Sequence, residues 1–483
     1  MSPMPSVSYS ITIRLEFAAR SAAVSDITAR IESHGATVTA LDVSASGPER
    51  MRADITVLTA GHDHAMEVVD DLRGLDGVEL GKVSDRTFLA HLGGKLTVES
   101  KLPIRHRDDL SMIYTPGVAR VVKAIAENPE DARRLTIKRN TVAVVSDGSA
   151  ILGLGDLGPL AAMPVMEGKA ALFKRFANID AFPLCLDAHS VDDIVAHVKA
   201  MAPVFAGINL EDISAPRCFE IEDRLRAELD IPVFHDDQHG TAIVVVAALR
   251  NALRVVEKEI STARIVLSGA GAAGTAILRL LRAAGARDVV VTDIDGVIHQ
   301  HREQLEGRLP WIAEVTNPHG LTGSLADAVA GADVFIGVSA GNVLTAEDVA
   351  TMADRSVVFA MANPVPEIDP AEAVKHAEVV ATGRSDFANQ INNVLAFPGV
   401  FRGLLDARSS RITNDMLIAA AHAVADVVTP EELNATYIVP SVFHSTLHTT
   451  VAKAVQAVAE QDEASRAGQA EQSDPIALEN LTG

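Results

Sequence analysis

A glycine-rich turn at residues 269–274 places the strongest constraint on what this chain can fold into. The turn reads Gly-Ala-Gly-Ala-Ala-Gly, follows a predicted strand at 264–268 and opens an apolar helix that extends through Arg282. In this context the first glycine permits a tight turn, the second lets a ligand approach the backbone, and the third lets helix and strand pack closely. We therefore predict a strand–turn–helix unit of the Rossmann type, with a dinucleotide pyrophosphate bound by Gly269, Ala270, Gly271, Ala272, Ala273 and Gly274.

An acidic residue completes this fingerprint. Asp293 ends a second predicted strand, 288–292, and lies 19 residues beyond Gly274, where an acid accepts hydrogen bonds from ribose hydroxyls. Asp293 and Asp295 would repel a 2′-phosphate, and no Lys or Arg occurs between Thr292 and Gln300. The pattern favours NAD over NADP, with NADP as the alternative cofactor.

Composition narrows the functional classes. The chain has 483 residues, which suits two or three domains, and a net charge of −22, which disfavours binding to nucleic acid or to an anionic membrane. Its two cysteines exclude a disulfide framework. No apolar stretch is long enough to span a membrane, and no secretion signal begins the chain. We expect a cytoplasmic protein.

Periodicity predicts an α/β fold in several parts. Residues 1–90 read as βαββαβ, a ferredoxin-like module that serves either in packing and dimerisation or as a ligand sensor. Strands alternate with helices from there onward, which indicates mostly parallel sheets. We expect an α/β domain at 91–241, a Rossmann-type doubly wound sheet at 242–425, and a helical segment with a loose polar tail at 426–483. One helix is expected to begin with Thr115 as N-cap and Pro116 in its first turn.

Two acidic pairs follow predicted strands of the second part. Glu211 and Asp212 follow one strand, and Asp236 and Asp237 follow the next. Carboxylates converging at strand ends would repel one another unless a cation lay among them, and oxygen ligands suit Mg²⁺ or Mn²⁺. Taken singly, each pair could be loop acids or helix caps. Together they favour a metal site, with His235 and His239 in packing roles.

A lysine and a tyrosine are further candidates. Lys169 follows a glycine in an apolar setting, and Tyr114 lies in a loop that leads into a helix. A lysine with an ordinary pKa of about 10.4 is protonated at neutral pH, so a catalytic base would need desolvation or a nearby cation. A solvated surface lysine and a packed tyrosine are the alternatives that spacing leaves open.

Seven ordered motifs between residues 95 and 450 resemble those of bacterial-type malic enzymes. They read YTPGVA (114–119), ILGLGDLG (151–158), EGK (167–169), NLEDI (209–213), FHDDQHGT (234–241), ANP (362–364) and NNV followed by FPGV (392–400). The N-terminal unit resembles an ACT domain, a module that often binds small effectors.

The resemblance implies oxidative decarboxylation of L-malate to pyruvate and CO₂ with reduction of NAD or NADP. It also implies a homodimer or higher homo-oligomer. By position, Lys169 is the implied general base, Tyr114 the general acid and Asp236 an assisting residue. The implied metal ligands are Glu211, Asp212 and Asp237, and the implied cofactor and substrate contacts are Asn363 and Asn393.

Two departures and two alternatives accompany the resemblance. Animal-type malic enzymes carry a carboxylate-binding arginine where this chain has Ala150. The loop at 19–23 lacks the glycine that ACT domains often have there, which counts against effector binding at that loop. The alternatives are a malolactic-type enzyme that releases lactate and a non-catalytic nucleotide-sensing regulator.

Overall fold

The computed structural model describes residues 5–19 and 23–473, and it divides into two compact units at residues 97 and 98. Most of the loop that lacks the expected ACT glycine, residues 20–22, lies outside the described residues. Among the described helices, none is long and apolar enough to cross a membrane.

The first unit is a four-stranded antiparallel sheet with helices, in the βαββαβ order predicted from the sequence. The strand order is β2-β3-β1-β4. Alternating side chains of the strands pack on one face of each helix, with Ile13, Ile55 and Ile27 buried at the centre. The elements are β1 (Ser6–Ala18), α1 (Ala23–Ser33), β2 (Thr37–Ser46), β3 (Arg50–Thr59), α2 (His62–Arg73), β4 (Val78–Asp85) and α3 (Arg86–His91).

The second unit begins with helices and a parallel sheet of order β6-β5-β7-β8. Ser190 caps α8 by accepting the Asp193 N–H, as its position before an apolar periodic segment predicts. The elements are α4 (Arg107–Ile113), α5 (Val118–Glu127), α6 (Asp131–Leu135), β5 (Thr141–Ser146), α7 (Pro159–Ala177), β6 (Asp180–Cys185), α8 (Val191–Met201), β7 (Gly207–Leu210), α9 (Arg217–Glu228), β8 (Val233–His235) and α10 (Thr241–Val255).

A six-stranded sheet of order β11-β10-β9-β12-β13-β14 follows, parallel except for β11. The chain leaves β9 for β10 on one side and later returns to β12 on the other, so the sheet has a switch point between β9 and β12. The elements are β9 (Arg264–Ser268), α11 (Ala272–Ala283), β10 (Asp288–Asp293), β11 (Gly296–Val297), α12 (Leu309–Val315), α13 (Leu325–Val329), β12 (Val334–Gly337), α14 (Ala346–Ala350), β13 (Val357–Ala360), α15 (Pro370–Ala373) and β14 (Val379–Thr382).

Three helices complete the second unit: α16 (Phe397–Ala407), α17 (Asn414–Asp426) and α18 (Leu447–Ser473). The returning chain packs on α7, where the rings of Phe176 and His448 have centroids 4.5 Å apart. Buried Asn251 of α10 donates to the carbonyls of Ala425 and Ile438, both at 2.9 Å. The α/β architecture with parallel sheets and a Rossmann-type half is therefore as predicted.

Two local predictions are wrong. The helix expected to start at Pro116 starts at Val118, because the Gly117 N–H bonds back to the Ser111 carbonyl and closes a turn before the helix. The polar segment beyond Glu460, predicted to be loose, is helical up to Ser473, and the rest of the predicted tail, residues 474–483, lies outside the described residues. The segment is rich in Ala, Glu and Gln, which have high helix propensity even without an apolar face.

Candidate active site

A cavity of about 590 Å³ lies at the carboxyl ends of both parallel sheets of the second unit. Parallel strands present their following loops at one edge, which is where open α/β sheets bind ligands. Eight of the side chains or turn residues singled out in the sequence line this cavity, namely Lys169, Glu211, Asp212, Asp237, Ala272, Ala273, Asn363 and Asn393.

Lys169 extends from α7 into a buried acidic setting. Its Nζ lies 2.5 Å from Asp236 Oδ2, 2.8 Å from Glu211 Oε1 and 4.3 Å from the centre of the Phe397 ring. Burial alone would lower the pKa of Lys169, but the charges of Asp236 and Glu211 outweigh it and raise that pKa. The solvated-lysine alternative is therefore excluded, and the ammonium form is favoured while both carboxylates are charged.

Three carboxylates converge beside this lysine. One oxygen from each of Glu211, Asp212 and Asp237 lies within 4.8 Å of the others. Burial, then the charge of Asp237, raises the pKa of Asp212 to about 7, and burial likewise raises the pKa of Glu211. Asp212 Oδ2 is buried without a hydrogen-bond partner. The unpartnered oxygen and the mutual repulsion fit a set of ligands for a hard divalent cation.

The second acidic pair lies in a single π-helical turn, Asp236–Gly240, between β8 and α10. A Cβ atom at Gly240 would lie 1.9 Å from Asp236 Oδ1, so the turn can close over this carboxylate only with glycine there. Behind the turn, buried Glu222 accepts from Gln238 at 3.0 Å and pairs with His239 at 2.7 Å. Burial would raise the pKa of Glu222, but His239 holds it at about 2.

The glycine-rich turn has the geometry that the sequence predicts. Gly269 has a φ of +114°, and a Cβ at Gly274 would lie 1.8 Å from the Gly269 carbonyl oxygen. A Cβ at Gly271 would meet nothing within 4 Å, so the backbone there faces open space. Helix α11 begins at Ala272 without a side-chain cap, which leaves N–H groups for an anion. The turn fits a bound pyrophosphate.

Asp293 ends β10 as expected, but it has a partner that the sequence analysis missed. Arg302 Nη1 donates to Asp293 Oδ1 at 2.8 Å, and its Nη2 donates to Asp295 Oδ2 at 2.9 Å. Arg302 lies just beyond the window of residues 292–300 in which basic residues were sought.

Loops after three strands of the Rossmann-type sheet and the turn before α16 close the cavity. Asn393 donates from Nδ2 to Asp236 Oδ2 at 3.1 Å and accepts from the Thr241 hydroxyl at 3.2 Å. Buried Glu367 accepts from the Ser339 N–H at 2.8 Å and the Ala362 N–H at 3.0 Å, so it ties the loops after β12 and β13 together. Glu367 and Glu222 have no local sequence signal, because each binds backbone or side chains that the fold alone brings near.

Tyr114 does not line the cavity. No other arginine in the described chain lines it in place of the carboxylate-binding arginine that is replaced here by Ala150. Tyr114 is 66% exposed and is not among the lining residues. Ala150 does line the cavity, where its N–H donates to the Asp212 carbonyl at 3.0 Å. Within the described chain, Lys169 is the only lysine or arginine that lines this cavity.

Two family models match the chain: the malic enzyme N-terminal domain over residues 93–226 and the malic enzyme NAD binding domain over residues 238–461. The chain belongs to the malic enzyme family. It is 56% identical over 445 residues to an NAD-dependent malic enzyme of Geobacillus stearothermophilus, covering 92% of this chain and 93% of that protein. A bifunctional malic/malolactic enzyme of Bacillus subtilis (strain 168) is 53% identical, with 75% and 89% covered.

A solved structure of an NAD-dependent malic enzyme from Thermotoga maritima agrees with a TM-score of 0.75 at 48% identity. The match covers 77% of this malic enzyme family member and 99% of the Thermotoga chain. The sequence resemblance to malic enzymes is confirmed at the level of the family, and so is the predicted fold class of the second unit.

Proposed function

We propose that the protein catalyses oxidative decarboxylation of L-malate to pyruvate and CO₂, with NAD⁺ reduced in preference to NADP⁺. The observation that carries this proposal is the contact of Lys169 with Asp236 and Glu211 in a cavity that is also lined by Ala272 and Ala273, where the dinucleotide turn enters α11. The relatives named above support the same activity and cofactor. This arrangement supplies a proton-transfer group, an acidic metal site and a cofactor site at one edge of two sheets.

The proposed metal, substrate and base roles use groups that line the cavity, whereas Asp293 and most of the glycine-rich turn are not among its lining residues. Glu211, Asp212 and Asp237 would hold Mg²⁺ or Mn²⁺, which when bound supplies the positive charge that favours ionisation of a substrate hydroxyl. The Gly269–Gly274 turn and Asp293 would hold NAD, which supplies the hydride acceptor. Asn363 is the proposed cofactor contact, and Asn393 the proposed substrate contact.

Lys169 is the proposed base for the C2 hydroxyl proton of malate. Its carboxylate partners favour the ammonium form, so it can act as a base only when one of these charges is neutralised. Glu211 is the partner whose charge changes, because it also belongs to the proposed metal site. Asp236, whose Oδ2 lies 2.5 Å from Lys169 Nζ, would then position the Lys169 amine. After proton transfer, the Asp236 carboxylate would balance the positive charge of the ammonium group.

Tyr114 is the proposed acid that protonates C3 of enolpyruvate, and this assignment rests on the sequence resemblance. The test is the exchange of the methyl protons of pyruvate with D₂O, monitored by NMR. The enzyme is loaded with Mg²⁺ and kept free of paramagnetic Mn²⁺. Tyr114→Phe should abolish exchange while leaving NADH binding unchanged. Exchange at the wild-type rate would remove Tyr114 from the mechanism.

We also propose a homodimer or higher homo-oligomer formed through residues 98–140. The structure describes all of these residues and none is buried, although α4 and α5 carry large apolar side chains. The most exposed aliphatic and methionine side chains in residues 98–140 are Val98, Leu102, Ile104, Met112 and Val122. A second copy would cover this surface, and Met112→Glu with Val122→Glu should shift the mass seen by light scattering toward the monomer.

We propose that the N-terminal unit is an ACT-like module. A substrate and metal domain, a Rossmann domain and a C-terminal helical segment follow it along the chain. The proposed boundaries are 1–90, 91–241, 242–425 and 426–483.

A cleft of about 490 Å³ between the end of α1 and the start of α2 is lined by His34, His62, His64 and Glu67. It is the proposed place for a small effector, and calorimetric titration with an amino-acid panel tests it.

The deciding experiment follows reduced-nicotinamide absorbance with L-malate and Mn²⁺, in parallel with NAD⁺ and NADP⁺. NADH together with pyruvate supports the proposal. Lactate without net NADH would instead indicate malolactic chemistry, and cofactor binding without any product would indicate a regulator. The variant Lys169→Ala distinguishes an enzyme from a regulator. An enzyme should lose malate turnover in this variant while it still binds the cofactor, whereas a regulator shows no turnover even as the wild type.

A further inference from the structure

Arg302 donates a hydrogen bond to Asp293, the acidic residue at the end of β10. Its guanidinium bridges Asp293 and Asp295 through two separate N–H donors, at 2.8 and 2.9 Å. The Arg302 side chain is 12% exposed and that of Asp293 17% exposed, whereas Asp295 is 72% exposed. Arg302 is therefore held at this position by the fold and is not a freely solvated surface arginine.

The pairing changes the electrostatics of the ribose site. Asp293 and Asp295 alone carry two negative charges, which would repel the additional phosphate of NADP. Arg302 brings the charge of the three groups to −1 and places a planar, multi-donor cation within reach of the position next to Asp293. Guanidinium groups bind phosphate through paired N–H donors, and an arginine near the ribose is a common way to accept a 2′-phosphate.

The hydrogen bonds also indicate how both cofactors could be accepted. The bonds from Arg302 and from the Asp295 N–H both use Oδ1 of Asp293, so Oδ2 is the oxygen we expect to accept from a ribose hydroxyl. The second arm of Arg302 binds Asp295, a carboxylate that water already reaches. Exchange of that arm from Asp295 to a phosphate leaves Asp295 solvated by the water that already reaches it, while Arg302 keeps an anionic partner.

We propose that Arg302 determines the cofactor specificity of this enzyme, by allowing NADP(H) to bind where Asp293 and Asp295 alone would exclude it. Asp293 maintains the preference for NAD(H), and Arg302 limits the size of that preference. The inference rests on the proposed function only in assuming a dinucleotide at the glycine-rich turn.

The test is direct binding, measured by fluorescence titration of the metal-loaded full chain with NADH and with NADPH. Arg302→Gln should weaken NADPH binding tenfold or more and change the NADH dissociation constant less than threefold. Arg302→Lys, which keeps the charge, should recover part of the NADPH affinity. Asp295→Asn should strengthen NADPH binding severalfold, because it frees the second arm. Arg250→Gln is the control, since Arg250 pairs with Asp426 elsewhere.

Equal weakening of NADH and NADPH in Arg302→Gln would show a merely structural role and overturn the proposal. Unchanged NADPH binding in that variant, or no detectable NADPH binding in the wild type, would overturn it as well. Titration with adenosine 2′-monophosphate gives a second readout that does not involve the nicotinamide. Wild-type protein that binds NADH but does not turn over L-malate would contradict the proposed function and leave this binding comparison intact, whereas binding of neither dinucleotide would overturn both.

Discussion

The carboxyl group of Glu367 occupies the space that a side chain at Gly337 would need. A Cβ atom at Gly337 would lie 2.3 Å from the Glu367 carboxyl carbon. Glu367 is fully buried, and from this place it accepts the N–H groups that follow β12 and β13. The glycine at the end of one strand is thus what allows a single carboxylate to fix two loops that line the cavity.

This relationship predicts that Gly337→Ala and Glu367→Gln have similar effects. Each should lower the free energy of unfolding by about 1–3 kcal/mol, because glutamine replaces one of the two acceptor oxygens by a donor and the alanine methyl group displaces the carboxylate, so at least one buried N–H loses its acceptor. Each should also weaken NADH binding. Urea denaturation and NADH titration measure the two effects, with half-exposed Glu372→Gln as the control. If Glu367→Gln left NADH affinity unchanged, the hydrogen bonds of Glu367 to the two loops would have no part in cofactor binding.

Removal of one carboxylate tests the metal site. Asp237→Asn should reduce Mn²⁺ affinity at least tenfold in calorimetric titration, because one of three converging ligands loses its charge. At one fixed Mn²⁺ concentration, the melting temperature of the wild type should rise more than that of the variant, because stabilisation grows with the ratio of metal concentration to dissociation constant. Asp192→Asn alters an exposed acid and should behave as the wild type. Unchanged Mn²⁺ affinity in Asp237→Asn would show that the ligand assignment is wrong.

The glycine-rich turn offers a matched pair of substitutions. Gly274→Ala forces a Cβ to within 1.8 Å of a backbone oxygen, so it should lower the melting temperature as well as abolish NADH binding. Gly271→Ala places its methyl group in open space, so it should weaken NADH binding tenfold or more without lowering the melting temperature. Equal NADH affinity in Gly271→Ala and wild type would contradict a pyrophosphate at this turn.

Glu222 predicts a pH-dependent contribution to stability. Its pKa is about 2 in the folded protein, below the ordinary value of 4.5, so its stabilisation is present above pH 4.5 and is lost as the pH falls toward 2. The full contribution is about 3 kcal/mol. Glu222→Gln should therefore be less stable than wild type at pH 7, and urea denaturation should show the difference shrinking below pH 4.5. A difference that does not vary with pH would exclude this linkage.

Local sequence patterns predicted most of the framework, and non-local contacts account for what they missed. Strand β9 has the predicted bounds, and the βαββαβ order follows from alternation and helical spacing alone. The start of α5 was misplaced because a hydrogen bond from Gly117 to Ser111 decides it. Arg302 was missed because it lies two residues beyond the window that was searched, and because a loop turns its side chain back toward Asp293.

The candidate site shows the same division. Glu211, Asp212 and Asp237 could be grouped because parallel strands end at a common edge, which the topology guarantees. Tyr114 could not be placed, because its loop lacks buried contacts that would fix its direction. The supporting acids Glu222 and Glu367 are ordinary glutamates in the sequence, and only burial distinguishes them.

Helix α10 has a consequence for how the catalytic unit can be divided. Its side chains from Ala242 to Leu249 are buried in one continuous core that includes Val142 and Val144 of the first parallel sheet and Ile265 and Leu267 of the second. The second matched family region begins at residue 238, just before this helix. Each half also has a smaller core of its own, but the core around α10 is shared by both. A junction at this point would separate α10 from half of its packing partners, so exchange of cofactor halves between relatives should lower stability unless the core residues on both sides match. Residues 98–473 should melt as one cooperative calorimetric transition.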